Sequence, residues 1–110
     1  MSVEATLQQL VSKMEKEPAP IENLSYTYQF DITDQNETYQ LDIQEGKAAY
    51  MVGEEKEPRL TLQMSEEYFQ KLAADDLNAA MAYMSGKLKV KGDMTHALKF
   101  QSLVKQYLGD

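Results

Sequence analysis

Apolar positions along this chain change their spacing repeatedly, and each change marks an element. Val3, Leu7, Leu10, Val11 and Met14 share one face at helical spacing, with Glu4, Gln8, Ser12, Lys13 and Glu15 elsewhere and Ser2 placed to cap the start. Pro18 and Pro20 stop this helix. From Leu24 the period falls to two. Leu24, Tyr26, Tyr28, Phe30 and Ile32 alternate with Ser25, Thr27, Gln29, Asp31 and Thr33. Beyond an Asp34-Gln35-Asn36 turn, Tyr39, Leu41 and Ile43 alternate with Gln40, Asp42 and Gln44. This predicts a hairpin with one apolar and one polar face. Glu45-Gly46 turns the chain into a third strand over 48–52, apolar on both sides, so its register stays open. Gly53 to Pro58 reads as an acidic loop, and Leu60, Leu62 and Met64 alternate with Thr61 and Gln63 in a fourth strand.

Helical spacing then returns. Ser65 caps, Glu66 and Glu67 suit the positive end of a helix dipole, and Phe69, Leu72 and Ala73 face inward. Asp75-Asp76 can break and recap the chain, yet Leu77, Ala80, Met81 and Met84 continue the period; two short helices and one kinked helix are both open. Gly86 ends this region. Lys87 to Lys91 alternates lysines with Leu88 and Val90, a short fifth strand. Asp93 caps a terminal helix whose apolar positions include Met94, Ala97, Leu98, Val104 and Leu108, with Thr95, Lys99, Ser102 and Gln106 as its exposed strip. The order predicts an α+β domain: four antiparallel strands, helices on the apolar face of one twisted sheet, and the polar face in water. The fifth strand follows a helical crossover, which allows it to pair in parallel and make the sheet mixed.

Composition narrows the function. The 110 residues read as one domain, 1–110. A net charge of −7 speaks against nucleic acid, since phosphate contacts need clustered Lys and Arg. Lys87, Lys89 and Lys91 could touch an anionic head group, although a solvated strand face explains them too. Without cysteine there are no disulfides and no thiolate metal sites, which suits a reducing cytoplasm. No apolar run is long enough to span a membrane, and the acidic amphipathic start does not read as a secretory leader. Seven methionines suit an adaptable apolar interior or ordinary core filling.

Two polar residues lie within the terminal helix's apolar arc. Gln101 is open to two readings, a bond to the backbone or a contact with a ligand head group. His96 lies towards Phe100, Leu103 and Tyr107 and reads as structural, because no serine, cysteine or carboxylate is spaced to complete a catalytic set. Glu54-Glu55, Glu66-Glu67 and Asp75-Asp76 are explained by solvation and capping. The residues predict no catalysis, no metal and no cofactor.

Tyr68-Phe69-x-x-Leu72, Ala82-Tyr83-Met84-Ser85-Gly86-Lys87-Leu88-Lys89-Val90-Lys91-Gly92-Asp93 and Ala97-Leu98-Lys99-Phe100-Gln101-x-Leu103 together resemble the sterol carrier protein 2 domain, the nonspecific lipid-transfer family. Asp75-Asp76 departs from the glycine that many relatives carry there. The resemblance implies a five-stranded mixed, mostly antiparallel sheet, helices on one face, and an apolar tunnel between them. It implies non-catalytic binding and transfer of fatty acid, acyl-coenzyme A or a sterol-like lipid. Phe69, Leu72, Met81, Met84, Leu98, Gln101, Val104 and Leu108 are the candidate lipid-facing residues. Membrane contact would be transient at most, and the chain a monomer or weak dimer. The alternative is an accessory or dimerisation module without its own ligand. The chain ends Leu108-Gly109-Asp110, without a peroxisomal Ser-Lys-Leu type address, so a free-standing cytoplasmic protein is expected.

Overall fold

In the computed structural model, which describes residues 2–74 and 76–109, the Ser2 hydroxyl accepts from the Ala5 backbone N–H at 3.0 Å and opens α1, Val3–Lys16. The stripe Val3, Leu7, Leu10 and Met14 is buried, joined by Thr6. A short 3-10 turn at Ala19–Ile21 leads into β1 (Ser25–Ile32), followed by β2 (Glu37–Gln44) and β3 (Lys47–Val52). After β4 (Leu60–Met64) come α2 (Glu66–Ala73), α3 (Ala79–Met84), β5 (Lys89–Lys91) and α4 (Met94–Leu108). The strands form one sheet in the order β3-β2-β1-β4-β5. Register fixes the faces. Tyr28 pairs with Leu41 and Leu60, and Leu41 pairs with Tyr50, so the apolar residues of successive strands share the helix-covered side. The Tyr50 hydroxyl also accepts from Gln8 Nε2 at 2.8 Å, which ties β3 to α1 and settles the register that its sequence leaves open.

The sheet is mixed, but the parallel pair is not the expected one. β4 runs parallel to β1, while β5 is antiparallel to β4. The reason lies in the connections. The loop 53–59 spans the length of the sheet, from the end of β3 to the start of β4, so β4 enters at the same end as β1. The helical connection instead returns the chain near the end where β4 finishes, and β5 runs back.

The same loop corrects a second expectation. Thr27, Gln29, Gln40 and Thr61 belong to the polar face, yet they are buried. Gln40 is fully buried; its Oε1 accepts from the backbone N–H groups of Glu55 and Lys56 (3.1 and 3.0 Å). Its Nε2 donates to Lys56 O at 2.7 Å and Gln29 Oε1 at 2.9 Å. Lys56 Nζ reaches Asp42 at 2.6 Å. Burial alone would raise the Asp42 pKa, but hydrogen bonds from Lys56, Gln44 and Thr27 and the Lys56 charge outweigh it and hold the carboxyl below its ordinary value. Gln29 and Gln40 are buried because a returning loop satisfies them, and Thr27 because its hydroxyl donates to Asp42 on the neighbouring strand.

The helices after β4 resolve into two. α2 begins at Ser65, whose Oγ accepts from Tyr68 N at 3.3 Å, and α3 begins at Asn78, whose Oδ1 accepts from Met81 N at 3.1 Å. The second cap is therefore Asn78 and not Asp76; Asp75 lies outside the described residues. Recapping resets the phase of the helix. α3 turns Ala79 and Ala82 inward and leaves Met81 and Met84 outside, the reverse of the face expected for them.

Candidate functional site

The helix layer closes over the sheet along a seam where α1, α2 and α4 meet. Phe69 and Leu72 reach it from α2, and Val104 and Leu108 from α4. Thr6 and Leu10 of α1, Ala73 of α2 and Phe100 of α4 complete the wall. These side chains enclose a void of about 10 Å³, room for one water at most and not an open tunnel. Phe100 packs on Tyr28 and Phe30, with ring centroids 5.0 and 5.1 Å apart, and Phe69 meets Phe30 edge-on at 5.4 Å. The seam thus sits directly on the aromatic rows of β1. Four of the eight candidate lipid-facing residues converge here. Thr6, Leu10 and Phe100 were outside that set, although the apolar stripe of α1 signalled that this helix needs a partner.

The other four do not join them. Met81 and Met84 are 69% and 84% exposed on α3, and Leu98 is 43% exposed on α4. Gln101 is occupied: its Oε1 accepts from Ala79 N at 3.1 Å and its Nε2 donates to Leu77 O at 2.7 Å. Of its two readings, the backbone bond is the one present, and it ties the start of α3 to α4. Gln101→Leu is therefore expected to cost about 2 kcal/mol in chemical denaturation, because it strands two backbone groups. A loss below about 0.5 kcal/mol would show the bonds to be idle. The methionines do not form a pocket wall as a group. Met14 and Met64 are in the core, whereas Met81 and Met84 face water.

His96 packs its ring on Tyr26 at 5.0 Å, and both Arg59 and Lys99 lie over the same Tyr26 ring, at 5.2 and 5.3 Å. His96 Nδ1 and the Tyr28 hydroxyl are buried without a hydrogen-bond partner among the described residues. Burial, with the neighbouring Tyr26, pushes the Tyr28 pKa up to about 12, so the phenol stays protonated and neutral at physiological pH. At the start of α4, Asp93 Oδ1 accepts from Thr95 N at 2.9 Å, and this bond holds the Asp93 carboxyl below its ordinary pKa. Among the described residues, no group of three or more His, Asp or Glu side chains is placed to hold a metal ion, and no helix is long and apolar enough to cross a membrane.

Known proteins share this fold. The model of the SCP-2 sterol transfer family matches residues 5–105. Hydroxysteroid dehydrogenase-like protein 2 of Bos taurus is 35% identical over 81 residues, covering 72% of this chain and 19% of that protein. Sterol carrier protein 2 of Homo sapiens is 32% identical over 66 residues, covering 60% of this chain and 12% of that protein. The chain spans about a fifth or less of the length of these relatives. The solution structure of sterol carrier protein domain 2 of Helicoverpa armigera superposes with a TM-score of 0.81 at 26% identity, covering 98% of this chain and 89% of that one. With the family match running over residues 5–105 and the five-stranded mixed sheet in agreement, the chain belongs to the SCP-2 sterol transfer family, whose domains bind and transfer lipids.

Proposed function

We propose that this chain binds a single-chain acyl lipid, a fatty acid or acyl-coenzyme A, without reacting with it, and that the tail enters the seam between α1, α2 and α4. The observation that carries this reading is the void enclosed by Phe69, Leu72, Val104 and Leu108 at the junction of three helices. A void of this size is a starting point for a tail, so binding requires side chains and the end of α4 to move apart. Leu108, half-buried in the last turn of α4, marks the mouth. The Tyr107 hydroxyl, which donates to Glu17 O at 2.6 Å, is the latch between that turn and α1. Each methylene buried contributes roughly 0.8 kcal/mol, so a long tail offsets the opening with little demand on the head group.

Lipid extraction of the purified protein followed by mass spectrometry, with uptake of fluorescent fatty acid and acyl-coenzyme A, tests the proposal. Absence of both co-purified lipid and uptake would sink it. Leu108→Trp is expected to narrow the mouth and weaken fatty-acid uptake by about tenfold or more, comparable to losing roughly two buried methylenes. Ser102→Trp, on the exposed strip of α4, serves as the control and leaves uptake unchanged. Equal uptake by both variants would place the mouth elsewhere. A dimerisation module is the second reading, favoured by the exposed Met81 and Met84; sedimentation as a tight dimer with no lipid uptake supports it instead.

A further inference from the structure

The charges of this acidic chain are distributed unevenly. Residues 77–108 carry five lysines against the single carboxylate Asp93, whereas the rest of the chain carries six basic side chains against seventeen acidic ones. The basic segment also holds, among the described residues, the two most exposed large apolar side chains. Met84 is 84% exposed and Met81 69%, with Tyr83 between them at 49%. Beside them, Tyr83 and Met84 of α3, Val90 and Gly92 at the sheet edge and Met94 of α4 line a shallow apolar groove of about 220 Å³. Leu98, one turn beyond Met94 on α4, is exposed as well. An apolar surface of this kind, gathered at one edge of the sheet, needs an occupant.

The lysines identify its chemistry. Register puts Lys89 and Lys91 on the face of β5 opposite Val90, and Lys87 precedes them beyond the Gly86 turn; all three are exposed. The apolar groove and the cations therefore meet across a three-residue edge strand. Lysines on so short an edge discourage pairing with a strand from another protein. They attract a flat anionic surface that approaches edge-on, on the order of fivefold in affinity per lysine near anionic lipid. Protruding methionines and a tyrosine beside them suit shallow insertion at the head-group boundary.

We propose that the edge formed by α3, β5 and the start of α4 docks on anionic phospholipid bilayers, with Met81 and Met84 inserting and Lys87, Lys89 and Lys91 meeting the head groups. This goes beyond the lipid-binding reading and does not depend on what the seam holds.

Flotation of the full chain with vesicles tests it, comparing pure phosphatidylcholine with phosphatidylcholine containing about a third phosphatidylglycerol. Wild type is expected to float with the anionic vesicles at low salt, to be released by added salt, and to stay behind with the neutral ones. Met81→Asp combined with Met84→Asp, and separately Lys87→Glu combined with Lys89→Glu, are each expected to lower binding by about tenfold or more. Circular dichroism of these exposed-site variants checks that the fold is kept. Failure of wild type to float, equal binding to neutral vesicles, or full binding by both double variants overturns the proposal. So does sedimentation showing that the methionines are buried in a dimer that the Asp substitutions dissociate. Fatty-acid uptake measured in parallel separates the two ideas, since vesicle binding without uptake refutes the cavity alone, and uptake without vesicle binding refutes the docking edge alone.

Discussion

Gly92→Val is expected to cost about 3 kcal/mol or more, enough to leave a marginally stable domain largely unfolded at physiological temperature. Gly92 has φ of +123°, a conformation that a β-branched residue does not adopt without strain. A Cβ there would lie 3.0 Å from the backbone oxygen of Arg59 and 3.4 Å from the Leu60 side chain. Backbone oxygen does not swing aside, so strain and clash act together at the point where β5 leaves β4 and α4 begins. Gly86→Ala is the internal control. Its φ is also positive, at +80°, but no atom beyond the adjacent residues lies within 4 Å of the added Cβ, so a loss of about 1 kcal/mol is expected. Urea denaturation of the two variants measures the difference. Equal losses would show that the contact with Arg59 does not matter.

The second large effect is expected at Gln40→Leu. Leucine fills much of the same volume but leaves Glu55 N, Lys56 N and Lys56 O without the partners Gln40 supplies at 2.7–3.1 Å. Each stranded group costs about 1–3 kcal/mol if it remains buried. The loop can escape part of this by peeling into water, so a net loss of about 2–4 kcal/mol is expected, with faster amide exchange at Glu55 and Lys56. Unchanged exchange protection at both amides would mean that other contacts hold the loop. This variant separates the two faces of the sheet, since the helix-covered side should keep its packing while the loop-covered side loosens.

Much of the architecture was legible because it is local. Ser2, Ser65 and Asp93 each cap the helix predicted to follow them, since the cap bond spans only two or three residues. The alternation in β1 and β2 survives as the observed register, because a slip of one residue would expose every apolar side chain at once. The family motif around Gly86 and Gly92 was legible for a similar reason: its glycines meet backbone requirements that depend on neighbouring residues. The parallel pairing of β4, the burial of Gln29 and Gln40 and the outward turn of Met81 and Met84 were not legible. Each depends on which distant segment arrives at a surface, and a glutamine in an alternating strand looks the same whether water or a loop meets it.

The candidate site divides along the same line. Phe69, Leu72, Val104 and Leu108 could be chosen from helical spacing alone, but spacing does not reveal that α1 supplies Thr6 and Leu10 opposite them. Nor does it reveal that recapping at Asn78 rotates α3, or that Gln101 is engaged by the backbone of that helix. The strands, the caps of α1, α2 and α4, the apolar faces of β1 and β2 and the family could all be read from the residues, because they follow from short-range backbone bonding and from the period of hydrophobic residues. The strand directions, the covered polar face, the cap and facing of α3 and the closed seam emerged with the packed chain. Those features follow from long-range burial, in which a side chain's role is set by what packs against it.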